Sequence, residues 1–475
     1  MILKNINHDF EYHTTKIATM FFPLEKIETK GASDIEVVCE KQGNTLTVSA
    51  KVYSKSLTKS RTTDGSFDIA KELSLLMFDV LSEVIGFKPP WGILYGVRPA
   101  RLMHSKAEQL GEAAAKEEFL SSLVEPEKVE LALEVMHREN AIIAQSTPKS
   151  FSLYISIPFC PTRCAYCSFV SHSIENAGEL IDKYVELLCL EISKTAEIAK
   201  TLDLKLESVY FGGGTPTTLS AAQLRRVIGA VRDGFDVRKD TEFTVEAGRP
   251  DTVDKEKLEA LWSLGVNRIS INPQTFNDEV REKAGRRHTT EQTVNAFELA
   301  KKVGFDNINM DFIAGLAGES LDSFKSGIKK AVSLGAESIT VHNLALKSAA
   351  FLVTENELFN PDDKNTAAKM VDFAYSYLKA DGYNPYYMYR QSKSLGNLEN
   401  VGYAKEGKEC RYNIYMMDET HSVLSCGAGA VTKLKKDSYN NIQRVYNYKY
   451  PYEYISDFDE VLRRKDKITG YYQNT

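Results

Sequence analysis

"SLYISIPFCPTRCAYCSF", Ser152 to Phe169, joins a short β-branched and aromatic run to a loop with three cysteines, Cys160, Cys164 and Cys167, at C-x3-C-x2-C. The run reads as a strand. Phe169 stands two residues past the last cysteine, where a fourth might be sought. Five more runs follow: "LESVYF" (206–211), "EFTVE" (242–246), "VNRISIN" (266–272), "FDNINMDFI" (305–313) and "AESITVH" (336–342). Amphipathic stretches with apolar residues at helical spacing separate them, and the stretches before the last three runs end at Gly265, Gly304 and Gly335, as helix C-termini often do. Such alternation predicts a parallel sheet. Six strands are too few for an eight-stranded barrel, so an open or partial barrel is expected.

In parallel α/β folds chemistry gathers at the C-terminal strand ends. The first strand runs into the cysteine loop, the second into "GGGTP" (Gly212–Pro216), and the third ends on Glu246 and continues "AGRP". The fourth runs into "PQTFN" with Gln274, the fifth ends at "MDFIAG" with Asp311, and the sixth at "VHNLALK". Three thiolates on an iron–sulfur cluster leave one iron without a protein ligand, an open position where substrate or cofactor binds. A zinc ion completed by His172 is the other use of the triplet. Glycines let a ligand approach the backbone, and a strand-end carboxylate accepts hydrogen bonds from an amine or ribose. Either feature alone also fits an ordinary turn or a salt bridge.

The rest of the chain bounds the reading. Its 475 residues suggest roughly three domains at ~150 residues each. Boundaries are expected near 1–150 (an α+β domain with a hairpin at "IEVVCEKQGNTLTVSAKVYS"), 151–350 and 351–475. A net charge of −6 gives no footprint for nucleic acid, and no run of about 18 apolar residues suggests a membrane segment. The N-terminus lacks the apolar core of a secretory signal. Seven cysteines, an odd number, fit a reducing cytoplasm better than a disulfide framework. Cys39, Cys189, Cys410 and Cys426 read as buried small hydrophobes. Arg98 and Arg101, in a Pro- and Gly-rich interruption, read as surface or capping charges.

The cysteine spacing after a first strand, "GGGTP" after the second and a glutamate ending the third resemble a radical S-adenosylmethionine (SAM) enzyme. "YISIPFCPTRCAYCSF", "VYFGGGTPTTLS", "TVEAGRP", "RISINPQTFND" followed by "GRRH", "NMDFIAGL", "GYAKEGKECRYN" and "GAGAV" resemble the oxygen-independent coproporphyrinogen III oxidase (HemN-type) family, nearest its HemZ branch. The resemblance is strong over residues 150 to 440. It implies a partial (β/α)6 TIM-like barrel with an N-terminal α+β domain and a C-terminal HemN-type α/β extension. It also implies a [4Fe-4S] cluster on Cys160, Cys164 and Cys167, with SAM chelating the open iron. Tyr154 and Tyr166 would lie near both; Gly213, Gly214, Thr215 and Glu246 would contact SAM; and Gln274, Arg286, Asp311 and Ala345 would line the SAM and substrate pocket.

The implied activity is that of a coproporphyrinogen dehydrogenase: one-electron cleavage of SAM to a 5′-deoxyadenosyl radical, then oxidative decarboxylation of tetrapyrrole propionates to vinyls. A donor such as flavodoxin or ferredoxin would supply the electron. Phe169 departs from the oxidase pattern C-x3-C-x2-C-x-C and matches the HemW branch, which resembles a haem-transfer protein, so the rival reading is a haem-binding carrier on the same fold. A radical SAM enzyme for another anionic substrate is the third. Carboxylate-bearing substrates call for arginines. Arg249, Arg286, Arg390 and Arg411 are the candidates. Arg249 replaces the commoner residue in "VE-x-NP" and is expected either to meet an anionic substrate or to form a local salt bridge.

Overall fold

A computed structural model of the protein describes residues 1–63, 68–167, 171–345, 363–435 and 441–473. The described residues of Met1–Met136, Asn343–Asp372 and Met388–Asn400 form one compact unit, and those of His137–His342, Phe373–Tyr387 and Val401–Thr475 form a second.

In the first unit a four-stranded sheet runs in the order β1 (Ile2–Ile6), β2 (Ile35–Gln42), β3 (Thr45–Val52), β4 (Lys55–Thr62). The expected hairpin is β2–β3, paired antiparallel from Ile35↔Val52 to Gln42↔Thr45; β1 is parallel to β2. Alternation along β2 and β3 puts Val37, Cys39, Val48 and Ala50 in the core with Leu73, Met77 and Leu81 of the helix Ile69–Ile85. Asp68 caps that helix by accepting from the Ala70 and Lys71 N–H groups.

The second unit holds the six runs read from the sequence: β5 (Ser150–Ile157), β6 (Lys205–Gly213), β7 (Glu242–Glu246), β8 (Arg268–Ser270), β9 (Ile308–Ala314) and β10 (Ser338–Asn343), side by side in that order. Pairing from β5 through β9 is parallel throughout. Helices connect them, among them Ala221–Gly234, Lys255–Ser263, Thr290–Val303 and Leu321–Leu334, and Gly265, Gly304 and Gly335 close three of these with positive φ. The sheet continues beyond the six. β12 (Glu399–Ala404) runs antiparallel to β10, with β11 (Asn384–Arg390) beyond it. At the other edge β13 (Ser422–Cys426) is parallel to β5, followed by antiparallel β14 (Val431–Leu434) and β15 (Gln443–Tyr446).

Each barrel strand has two characters. Val209, Phe211, Phe243, Val245, Ile269, Met310, Ile339 and Val341 are buried apolar residues, one register apart from Ser208, Tyr210, Thr244, Glu246, Ser270, Asn309, Asp311, Thr340 and His342. Period-two alternation therefore gives one oily face, which packs, and one polar face. Polar side chains bond across the second: Ser152 to Ser208 (2.7 Å), Thr340 to Asn309 (3.0 Å) and Asn309 to Asp311 (2.6 Å).

The "GAGAV" segment after β13 is tied down by a buried ion pair. Glu191 Oε2 accepts from the Gly427 N–H and the Tyr454 hydroxyl (2.7 Å each), and Oε1 meets Lys465 Nζ at 2.6 Å. Ala428 O in turn accepts from Ser156 Oγ (2.8 Å), just ahead of the cysteine loop. Glu191→Gln should cost about 3–5 kcal/mol in urea unfolding, because Lys465 would keep its buried charge without a counterion. A loss below 1 kcal/mol would show the pair to be dispensable.

Candidate functional site

The cysteine loop is the first wall of the site. Cys160, Cys164 and Cys167 form no disulfide and are partly exposed. Phe159–Cys160 pairs with His172–Ser173 in a two-residue parallel ladder, which closes the loop at its base. Burial raises the Cys160 thiol above its usual value, and Thr215 Oγ1 donates to its sulfur at 3.5 Å. Among the described residues no three His, Cys, Asp or Glu are drawn together as the ligands of one metal ion, the three loop cysteines included, so this arrangement favours neither the zinc ion nor the cluster. His172 lies edge-on to Tyr450 and Tyr452. Phe169 lies outside the described residues.

The second wall is "GGGTP". Gly214 faces the cysteine loop, since a Cβ there would fall 2.6 Å from Phe159 O. Its missing side chain lets the glycine strand and the cysteine strand touch, so a valine there would disturb Cys160 itself. Gly212 lies against the aromatic stack and the carboxylate: a Cβ there would crowd the Tyr210 and Tyr154 rings at 3.1 and 3.2 Å and Glu246 Oε1 at 3.3 Å. Thr215 is buried and donates its N–H to Phe159 O (2.7 Å).

Glu246 ends β7 and accepts a 2.6 Å hydrogen bond from the Tyr210 hydroxyl. Burial pushes its carboxyl up to about 7; the Tyr210 bond works against the rise and nearby Asp311 adds to it. Tyr210 stacks on Tyr412 (4.5 Å between centroids), and Tyr154 stacks on both (6.3 and 6.1 Å). Asp311 behaves oppositely: burial would raise it, but His342, 3.7 Å away, and the Asn309 amide hold it below the usual carboxylate range.

Gln274 has φ +64°, rare for a side chain this large. Its backbone is fixed between Asp311 O (2.8 Å) and the Ile313 N–H (3.0 Å), while its side-chain oxygen is buried without a hydrogen-bond partner. A buried orphan acceptor at a strand end is a place for a ligand's donor.

The four arginines proposed for carboxylates are engaged inside the fold. Arg249 grips Asp251 with both arms of its fork (2.9 and 2.8 Å), and its remaining nitrogen reaches Thr162 Oγ1 and O (3.1 and 3.3 Å) between Cys160 and Cys164. The salt-bridge reading holds, and the residue clamps the cysteine loop. Arg286 donates to Gly248 O, Asn272 O and the Tyr166 hydroxyl (2.6, 2.8 and 3.3 Å), leaving only its buried Nε without a partner. Burial opposes its charge; Tyr166 and Cys164 favour it, and on balance the guanidinium is held charged. Arg390 is buried in the other unit, donating to Leu94 O and Gly96 O, and burial lowers it to about 10. Arg411 meets Glu207 and Asp240 O. Ala345 also falls in the other unit, bridged to Ser394.

The sequence reading missed Tyr210, Tyr412, Asn272, His342 and Thr162. Tyr210, Asn272 and His342 carried a signal, being in step, at period two, with the polar positions of their strands.

Residues 154–331 match the radical SAM superfamily. Along 97% of the chain and 96% of the relative, 483 residues are 33% identical to the oxygen-independent coproporphyrinogen-III oxidase-like protein HemZ of Bacillus subtilis. The chain belongs to the radical SAM superfamily, in the family of HemZ and HemW. The heme chaperone HemW of Bacillus subtilis is 34% identical over 283 residues, 59% of this chain and 70% of that one. Coproporphyrinogen III oxidase (HemN) from Escherichia coli shares the fold, with a TM-score of 0.53 at 23% identity over 67% of this chain and 71% of that one.

Membership brings a 4Fe–4S cluster and SAM as cofactors, and the site suits them. Three cysteines outside any disulfide lie on one loop, and the strand ends carry the unpartnered Gln274 oxygen and Arg286 Nε and a carboxyl raised to about 7. Loosening the clamp should show in the cluster. Arg249→Ala is expected to bleach several-fold faster under chelator than the parent protein, with Arg249→Lys between them because lysine cannot form the fork. Equal bleaching of all three would refute the clamp.

Proposed function

We propose that this chain is a cytoplasmic radical SAM oxidoreductase of coproporphyrinogen dehydrogenase type, acting on tetrapyrrole propionates. The observation that carries the reading is the 2.6 Å Tyr210–Glu246 pair in the same parallel sheet whose first strand runs into the cysteine loop, a binding apparatus for SAM that a passive carrier would not need. Cys160, Cys164 and Cys167 would hold the cluster; Glu246, Gln274 and Arg286 would receive SAM, with Gly213, Gly214, Thr215, Tyr154 and Tyr166 shaping its bed and Asp311 on the substrate side. Bound together, cluster and SAM supply the one-electron chemistry that removes hydrogen from an unactivated carbon. The protein's contribution is to orient and to exclude water. Tyr412 is buried and Tyr154 and Tyr210 are half-buried in the stack they form with it, Glu246 orders a donor at its edge, and Arg249 and Arg286 brace the loop from behind.

The relatives named as heme chaperones favour a second reading, a haem-binding carrier. It gains from the arginines: all four proposed for substrate carboxylates have internal partners. Anaerobic incubation of cluster-loaded protein with SAM, dithionite and coproporphyrinogen III separates the two. Substrate-dependent 5′-deoxyadenosine and a product two carboxyl groups lighter support the dehydrogenase. Stoichiometric haem binding with no 5′-deoxyadenosine above the substrate-free background supports the carrier.

A further inference from the structure

A buried hydroxyl has to find an acceptor, and one in this site finds a sulfur. Thr215 follows the glycines after β6 and is 3% exposed. Its backbone is held on both sides. The N–H donates to Phe159 O (2.7 Å), and the carbonyl accepts from the Thr218 N–H and hydroxyl (2.9 and 2.7 Å). Gly214 donates its N–H to Ile157 O (2.8 Å), and its missing Cβ lets this segment press against the strand that leads into the cysteine loop. Cys160 is fixed from its own side by the ladder with Ser173. Between these two anchored backbones Thr215 Oγ1 donates to Cys160 Sγ at 3.5 Å, and it has no oxygen acceptor among the described residues.

The neighbouring threonines spend their hydroxyls differently. Thr217 bonds Thr252 Oγ1 (2.6 Å), and Thr218 turns back on Thr215 O. Of the three threonines between positions 215 and 218, two thus serve the turn and Thr215 alone serves the cysteine. Ser171 brings a second hydroxyl to the same sulfur from the far end of the loop.

We infer that Thr215 sets the reduction potential of the cluster through its hydrogen bond to the Cys160 sulfur, a role apart from any contact with SAM. A thiolate on iron carries part of the cluster's negative charge, and that charge grows by one unit on reduction. A donor aimed at the sulfur therefore stabilises the reduced form more than the oxidised one and makes the cluster easier to reduce. One electron passes from the reductant to the cluster, and no bond or proton changes place. The inference rests on the radical SAM reading, with Cys160 as a cluster ligand, which iron content tests separately.

Cluster-loaded protein without SAM is titrated anaerobically with dithionite in the presence of redox mediators, and the reduced cluster is counted by EPR. Thr215→Val keeps the shape and removes the donor. It should lower the ratio of reduced to oxidised cluster about tenfold at the parent's midpoint, a shift of about 59 mV to more negative potential for one electron, the size of one charge-assisted hydrogen bond. Thr215→Ser keeps the donor and should keep the parent's midpoint. Thr217→Val, the same change at the hydroxyl that bonds Thr252, should also titrate as the parent. Iron content should be equal in all four proteins. A Thr215→Val midpoint equal to the parent's would overturn the inference. So would a shift as large in Thr215→Ser or Thr217→Val, which would mark the packing of the turn and not the donor. If Thr215→Val does not retain iron, proton ENDOR of the reduced cluster in light and heavy water still decides. The parent and Thr215→Ser should both show an exchangeable proton coupled to the cluster, and identical spectra in the two solvents would overturn the bond. Parent protein that takes up no iron would remove the cluster reading on which the inference stands.

Discussion

Cys160→Ala, Cys164→Ala and Cys167→Ala are each expected to yield folded protein with almost no bound iron, against about four iron per chain in anaerobically prepared parent. The effect should be near total because each thiolate is a third of the protein's hold on the cluster. The other cysteines provide the internal control. Cys39, Cys410 and Cys426 are buried, and burial raises each of their thiols to about 12, so they stay protonated and ligate nothing. Cys189 lies on the helix Ile181–Thr201, its thiol directed at Arg226 O. Cys189→Ala, Cys410→Ala and Cys426→Ala should keep the parent's iron and visible spectrum. Full iron in any one of the three loop variants, or zinc in place of iron in fresh parent protein, would undo the cluster assignment.

The order of the six barrel strands was legible because two signals coincided. Apolar runs of five or so residues alternated with helical stretches, and glycines marked where three of those helices stop. The edges were not legible. β12 and β13 come from a tyrosine-rich segment without a clean period, since strands buried on both faces lose the alternation that marks one-sided strands. β1 and β4 also escaped; β4 reads "KSLTKSRT", a polar edge strand held by pairing to β3 and not by burial. In the candidate site, motif and position placed the cysteine loop, Glu246, Gln274 and Asp311 at the strand ends, where the structure has them. What the sequence could not decide was where a side chain spends its charge. Arg249 looks equally available to a substrate and to Asp251 two residues on; only the backbone turn at 249–252 brings the carboxylate into the fork. For Gly214 likewise, the strand register alone shows that the nearest neighbour is Phe159.

The distribution of charge follows one scheme. Guanidiniums behind the cysteine loop are held by carboxylates and carbonyls, so the loop is braced but its inner face is not crowded by free cations. Carboxyls on the strand ends are graded: Asp311, beside His342, is held ionised, while Glu246, beside an aromatic stack, is balanced between its two forms near neutrality. Environments that separate two nearby carboxyls in this way are typical of working sites.

That balance makes SAM binding depend on pH. Glu246 with its proton is a poor acceptor; ionised, it receives an amine or hydroxyl and attracts a cationic ligand. SAM affinity should therefore rise with pH, by up to about tenfold per unit below the Glu246 midpoint near 7, and level off above it. The apo fold responds in the opposite sense. The folded-state value lies above the unfolded one, so the stability Glu246 contributes is fully present below its unfolded value and is lost as pH rises through about 7. Glu246→Gln should bind SAM about 10- to 100-fold more weakly at high pH, the worth of a charge-assisted hydrogen bond, and with no break near neutrality. Tyr210→Phe tests the positioning partner. Its hydroxyl favours the ionised carboxylate, so removing it should shift the break to higher pH and leave the high-pH affinity nearly intact. Anaerobic calorimetry of cluster-loaded protein on both sides of neutrality reads all three curves. SAM binding that stays flat through pH 7 in the parent protein would mean that Glu246 does not receive SAM.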